Sequence, residues 1–209
     1  MATATERRYG GRGAEERRAE RRRRLLDAGL ELFGTRGYAA TTIEALYSEA
    51  RLAPRHFYEQ FAGREELLRA VYDEGIEAVA AAVARARADA PSDVRGRVAA
   101  ILSAFAGAML SDARRTRIAY LEAPGTSRGL ERHARAVVRG FARVVDEEAR
   151  AAAARGALPE RDYTLTAMLL VGGTNAILLD WLGDEQRRPI DEVVDELTDA
   201  FVAVLEQRR

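Results

Sequence analysis

The chain has 209 residues, of which 47% are hydrophobic and 32% charged, a composition that supports one or two folded domains. Its 33 basic and 33 acidic residues cancel, so net charge alone does not indicate a nucleic-acid partner. The chain has no cysteine, which excludes disulfides and thiolate metal sites. We find no apolar run of about 18 residues and no apolar N-terminal segment, so we expect a cytoplasmic protein with no membrane span and no secretory signal.

Charge is distributed unevenly along the chain. Residues 1–70 contain 14 Arg and 11 acidic residues, whereas residues 71–209 contain 19 Arg and 22 acidic residues. Residues 1–18, rich in Arg, Gly and Glu, predict a disordered arm. The run Arg21 to Arg24 is either a solvated helix start or a basic arm that reaches phosphate or the minor groove, and the sequence leaves both alternatives open.

The first predicted helix carries apolar residues at helical spacing from Leu25 to Phe33. Gly37 follows it at a position that favours a left-handed helix stop, and Tyr38 can then pack back on Phe33. The sequence therefore predicts that this helix ends shortly before Gly37.

A short second helix is predicted next. Thr41 or Thr42 can cap its start, and Glu44 stands three residues after Thr41, as a capping box requires. Its buried stripe is formed by residues at i, i+3, i+4 and i+7, namely Ile43, Leu46, Tyr47 and Ala50.

A third helix follows after a tight turn. Pro54 fits its first turn, where the missing N–H has no cost. Phe57 and Phe61 share one face and are expected to be buried. The opposite face carries Arg55, His56 and Tyr58. Two helices joined by a tight turn, the second with an apolar back and a polar front, are typical of a recognition helix that enters the major groove.

The remainder reads as helix, with no β alternation and no internal repeat. Breaks and caps predict helices over residues 64–89, 94–110, 112–121, 128–154, 163–182 and 189–206. The predicted fold class is therefore all-α, with a three-helix head over residues 19–70 and a helical body over residues 71–209.

A specific run of residues identifies the head. Over roughly residues 20–75 the chain resembles the DNA-binding head of the TetR (tetracycline-repressor-like) family of bacterial regulators. The run comprises Gly37-Tyr38, Thr41-Thr42, Leu52, Phe57-Tyr58, Phe61 and Arg64 to Leu68. The resemblance implies a homodimer that binds palindromic double-stranded operator DNA and represses until a small-molecule ligand in the body releases it.

The resemblance assigns DNA contacts to six positions. We expect Arg55 and His56 to reach base edges, and Thr42, Tyr58 and Arg64 to hold phosphates. The sixth position, Pro54, starts the helix that carries Arg55, His56 and Tyr58.

Four positions depart from the family pattern. Tyr47 stands where the family usually has Ala, which implies looser packing of the second and third helices. Arg51 replaces Gly in the turn, Ala53 replaces a Ser cap, and Glu44 replaces a basic or polar DNA contact.

The body residues divide into two predicted sites. The last two helices are expected to form the dimer bundle through Leu169, Gly172, Val194, Leu197 and Phe201, although an ordinary core is the alternative. A largely apolar ligand is expected to contact Phe105, Met109, Tyr120, Phe141, Met168 and Asn175. Gly172-Gly173 inside a helix requires either a close helix approach or room for a ligand.

The side-chain inventory argues against an enzyme. The chain has two His, no His pair at metal spacing and no supported nucleophile, so we predict no catalytic residue, no metal and no cofactor. Two alternatives stay open besides the ligand-released repressor. One is a regulator controlled by a protein partner, and the other is a helical binding module whose head no longer reads DNA.

Overall fold

The computed structural model describes residues 6–183 and 188–207, with side chains from Gly13 onward. All regular structure in these ranges is helical, which confirms the predicted all-α class. The helices are α1 (Glu6–Thr35), α2 (Ile43–Glu49), α3 (Pro54–Tyr58), α4 (Arg64–Asp89), α5 (Val94–Leu110), α6 (Ala113–Arg117), a π-helical turn (Ile118–Glu122), α7 (Ala123–Thr126), α8 (Arg128–Ala154), α9 (Thr164–Gly183) and α10 (Ile190–Glu206).

Two predicted boundaries are corrected. Helix α1 begins at Glu6, so the predicted disordered arm is helical over residues 6–18, and residues 1–5 lie outside the described residues. The helix predicted over residues 112–121 does not stop before Pro124-Gly125, since α6, the π-helical turn and α7 carry helical backbone on to Thr126.

The chain divides into two compact units. The first, here called the head, comprises the chain up to Glu74 together with Ala113–Thr126. The second, here called the body, comprises Gly75–Asp112 and the chain from Ser127 onward. This division differs from the predicted one, because Ala113–Thr126 groups with the N-terminal helices.

The head is built around buried aromatic and aliphatic side chains. Its fully buried members are Leu25, Phe33, Leu46, Phe57, Phe61, Leu67 and Leu68. Helix α6 packs against α1 at Gly34, where an added Cβ would lie 2.8 Å from the Cα of Arg114. Only glycine permits this approach of the two helices.

The turn between α2 and α3 has a strained residue, as the sequence predicted. Arg51 has φ +53°, the left-handed conformation that favours glycine. Its N–H donates to Ser48 O at 2.9 Å, and its carbonyl accepts from Arg24 at 2.9 Å.

Relief of this strain is measurable. We expect Arg51→Gly to raise the free energy of unfolding of the head by up to about 1 kcal/mol relative to Arg51→Ala, because only glycine removes the Cβ clash. Both variants lose the arginine side chain, so their comparison in urea unfolding isolates the backbone effect. Equal stability of the two variants would contradict the argument.

The body consists of α5, α8, α9 and α10 with the second part of α4. Helix α10 packs on α5, and α8 packs on α9. Val194, Leu197 and Phe201 are buried in the shared core beside Leu102 and Leu170. Three of the five predicted dimer residues therefore lie inside one protomer, and we no longer assign them to an interface.

Helix α9 presents apolar side chains on the protein surface. Leu165 is 84% exposed and Leu169 is 67% exposed. Further exposed apolar side chains on this helix are Met168, Ile177 and Leu179. By length and composition α9 is also a candidate membrane span, contrary to the sequence expectation that no helix would qualify.

Candidate functional site

The start of α2 is fixed by two adjacent threonines with different roles. Thr42 is the N-cap, and its hydroxyl oxygen accepts from Ala45 N at 3.1 Å. Thr41 is buried, and its hydroxyl donates to Gly37 O at 2.7 Å. Glu44 therefore lies one residue too early for a capping box, and its charge instead faces the positive end of the helix dipole.

Helix α3 has the two faces that the sequence predicts. Pro54 occupies its first turn behind Ala53, which provides no side-chain cap. Phe57 is completely buried, whereas Arg55 is exposed and Tyr58 is 60% exposed. The helix therefore offers a guanidinium and a phenol to a partner.

His56 is held by a carboxylate that the sequence analysis did not single out. Its Nδ1 lies 2.9 Å from Glu59 Oε2, and Arg21 lies 3.9 Å from the same oxygen. The hydrogen bond from His56 lowers the pKa of Glu59, aided by the charges of His56, Arg21 and Arg55. His56 is thus half-buried and oriented along α3 rather than extended from it.

The Arg64 side chain is bound within the head. Its guanidinium donates to the carbonyls of Thr41 and, at 3.2 Å, Tyr38, and stacks 4.7 Å from the Tyr38 ring centre. The contact of Arg64 with a phosphate stays a prediction. The backbone N–H groups at the start of α4 can bind a phosphate without the Arg64 side chain.

The arginines at positions 22–24 of α1 also make contacts within the head. Arg22 stacks 4.6 Å above the Phe61 ring, and Arg24 donates to the carbonyl of Arg51. Arg23 pairs with Asp27 and Glu74. Because of these contacts, Arg21–Arg24 belong to the folded head and do not form a free basic arm.

A cavity lies within the body. Its volume is about 90 Å³, and its lining is almost wholly apolar. Phe105 and Phe141 line it, as predicted, with their rings edge to face at 5.4 Å. The wall also includes Val98, Ile101, Leu102, Val145, Val171 and Leu205.

Four predicted ligand residues do not line this cavity. Met109 is buried elsewhere in α5, Met168 is exposed on α9, and Asn175 is half-buried beside the lining residue Thr174. Tyr120 belongs to the head, where burial raises the pKa of its phenol. Equal spacing of apolar residues along a helix does not tell which of them face the cavity.

Charged groups on the cavity lining were missed by the sequence analysis. They are Arg97, Glu148 and Arg155. Glu148 accepts from Arg87 at 2.8 Å and from Arg97. Burial raises the pKa of Glu148, but these two hydrogen bonds outweigh it and hold the pKa below its ordinary value. The partners are 51 or more residues apart in sequence, so no local pattern reveals them.

Residues 25–71 match a sequence profile described as "Bacterial regulatory proteins, tetR family". The helix-turn-helix of α2 and α3 lies within the matched segment. The head of this chain is therefore similar to the DNA-binding segment of TetR-family proteins. Members of this family are DNA-binding transcription regulators, which is what the exposed face of α3 suits.

Solved structures of TetR-like regulators share the fold over nearly the whole chain. The fatty acid degradation regulator FadR from Bacillus halodurans has a TM-score of 0.78 at 16% identity, covering 90% of this chain and 97% of its own. FadR from Bacillus subtilis, solved with stearoyl-CoA, has a TM-score of 0.74 at 16% identity, covering 87% and 97%. A tetR-family protein from Rhodococcus RHA1 has a TM-score of 0.71 at 19% identity, covering 90% and 98%.

These identities establish the fold alone. No curated protein matches the chain in sequence. The three proteins named above are regulators rather than enzymes.

Proposed function

We propose that the chain is a cytoplasmic transcriptional repressor of the TetR family that binds a palindromic operator as a homodimer and is released by a small, largely apolar molecule in its body. The observation that carries the proposal is the pairing of an exposed recognition face on α3 with an apolar cavity in the body. This cavity favours a small-molecule ligand over control by a protein partner alone.

The recognition role rests on the exposed side chains of α3. Arg55 is exposed and free to reach a guanine edge, while Tyr58 can donate to a phosphate. His56 contributes only if it leaves Glu59.

Arg55 therefore provides the sharpest test of base reading. We expect Arg55→Ala to weaken operator binding by about 10- to 100-fold, because a good base contact contributes about 1–3 kcal/mol. Tyr58→Phe should weaken all DNA sequences alike. Fluorescence anisotropy with operator and scrambled duplexes separates the two effects. Unchanged operator affinity in Arg55→Ala would remove Arg55 from the base-reading site.

The dimer is assigned to the exposed face of α9. A palindromic operator requires two heads related by a two-fold axis. Leu165 and Leu169 project from this face, and Gly172 and Gly173 have no neighbouring atom within 4 Å of an added Cβ. A second copy can approach closely along these glycines and cover the exposed leucines.

The cavity size suggests how a ligand acts. At about 90 Å³ it is smaller than the roughly 150 Å³ engineered cavity that binds benzene. A larger ligand must therefore move the walls, which include α5 and α8. A ligand weakens DNA binding only if it prefers a body shape in which the two recognition helices leave their spacing of about 34–36 Å.

The proposal is tested by release of DNA. Labelled duplex from the region flanking the gene is titrated with protein, and saturated apolar compounds are then added. We expect binding at nanomolar to micromolar protein and release by a compound that fits the cavity. Val145→Phe fills the cavity and should bind DNA but resist release. Release that is equally strong in Val145→Phe would show that the cavity is not the effector site.

A further inference from the structure

The charged groups of the cavity lining do not cancel. The lining contains two guanidinium groups, from Arg97 and Arg155, and one carboxylate, from Glu148. All other lining residues are uncharged. A bound molecule therefore meets an apolar wall with an excess of one positive charge.

The negative charge of Glu148 is already paired with two arginines. Arg87 Nε donates to its Oε1 at 2.8 Å, and Arg97 Nε donates to its Oε2. Arg97 is used further, because its terminal nitrogen donates to Arg87 O at 3.0 Å. Both oxygens of the carboxylate thus accept from arginine, and the two positive charges disfavour the approach of an amine.

Arg155 differs from the other two charged residues. It is exposed at the C-terminal end of α8, where the helix dipole favours a positive charge. Within the described residues no carboxylate pairs with its side chain. A charged group on the cavity lining is therefore free to accept an anionic partner.

The uncharged polar residues of the lining are Ser92, which is exposed, and Thr174, which is buried. The Thr174 hydroxyl already donates to Leu170 O at 2.9 Å within α9. An apolar chain can lie against Val98, Ile101 and Phe141, but a polar end placed there would lose its hydrogen bonds to water. The polar end of a ligand is therefore expected at the exposed rim, where Arg155 is the charged group that favours a negative end.

We infer that the effector is an amphipathic anion, whose apolar chain occupies the body cavity and whose negative end pairs with Arg155. This inference rests on the proposed function, since it names the chemical class of the ligand for the same cavity. The negative end is a carboxylate or a phosphate, because either fits a guanidinium.

The test compares molecules with one chain and different ends. Decanoate, decan-1-ol and decylamine are titrated below their micelle concentrations into the full-length protein by calorimetry at neutral pH. We expect decanoate to bind about fivefold more tightly than decanol, a modest factor because Arg155 is exposed, and the advantage should shrink at high salt. Decylamine should bind most weakly. Decanoyl-CoA serves as the phosphate-bearing arm.

Variants assign the effect to one residue. Arg155→Gln should abolish the preference for decanoate over decanol, whereas Arg139→Gln, at an exposed arginine of the same helix outside the lining, should retain it. If decanoyl-CoA alone depends on Arg155, the anion is a phosphate, which also supports the inference.

Two results overturn the inference without touching the proposed function. They are equal binding of decanoate and decanol combined with decanoyl-CoA binding that does not depend on Arg155, and a preference for decanoate that survives Arg155→Gln. Failure of all four compounds to bind would instead count against the apolar cavity as the effector site.

Discussion

Leu169→Glu is expected to convert dimers into monomers and to abolish operator binding in the same variant. Leu169 is 67% exposed in the protomer, on the apolar face of α9. In a two-fold interface the new carboxylate is buried twice, near its own symmetry mate, and each unpaired buried charge costs about 3–5 kcal/mol. The dimerisation constant should weaken at least a thousandfold, roughly the effect of 4 kcal/mol. Sedimentation velocity at micromolar concentration measures it.

A matched leucine controls for the new charge itself. Leu121 is 60% exposed but belongs to the head, so Leu121→Glu should stay dimeric. Leu169→Glu that sediments as a dimer would contradict the assignment of α9 to the interface. Loss of the dimer in both variants would mean that the charge, rather than its location, is responsible.

Phe201→Ala is expected to lower the free energy of unfolding of the body by about 3–5 kcal/mol while the protein stays dimeric. Phe201 is 5% exposed and belongs to the core that α10 shares with α5. Its removal leaves a void that the surrounding helices fill only partly. Urea unfolding followed by helix circular dichroism gives the loss of stability, and sedimentation gives the assembly state.

The sequence had predicted a different outcome for this residue. If Phe201 were at the dimer interface, its truncation would dissociate the dimer and leave the protomer nearly as stable as before. That result would return Phe201 to the dimer interface, where the sequence had placed it. Leu121→Ala, at a surface position, should change stability by less than about 0.5 kcal/mol.

Local signals predicted the starts of α5 and α8 and the ends of α1 and α8. The N-cap residues Asp93 and Ser127 each accept a backbone N–H at the start of α5 and α8, at 2.8 and 3.1 Å. Gly37 and Gly156 have φ +88° and +75°, the left-handed conformation expected after a helix. These features depend on neighbours within a few residues, so the sequence alone contains them.

The sequence could not predict which helix faces and which charged side chains meet across the fold. Helices α9 and α10 are both apolar at helical spacing, and nothing in that pattern distinguishes a face packed in the protomer from one left for a second copy. Val194 and Leu169 therefore look alike in sequence but are 6% and 67% exposed in the structure. The same limit applies to Arg97 and Glu148, which meet only after α5 and α8 have packed.

The measurement that tests the central claim most directly is selection of binding sites from a random duplex library by the full-length protein. A protein with the proposed function should enrich a two-fold symmetric motif, with half-sites about one helical turn apart, and Arg55→Ala should lose preference at one position in each half-site. Addition of decanoate during selection should reduce recovery of the motif. Recovery of no motif, or of a motif that Arg55→Ala reads identically, would contradict the assignment of α3 as a base-reading helix.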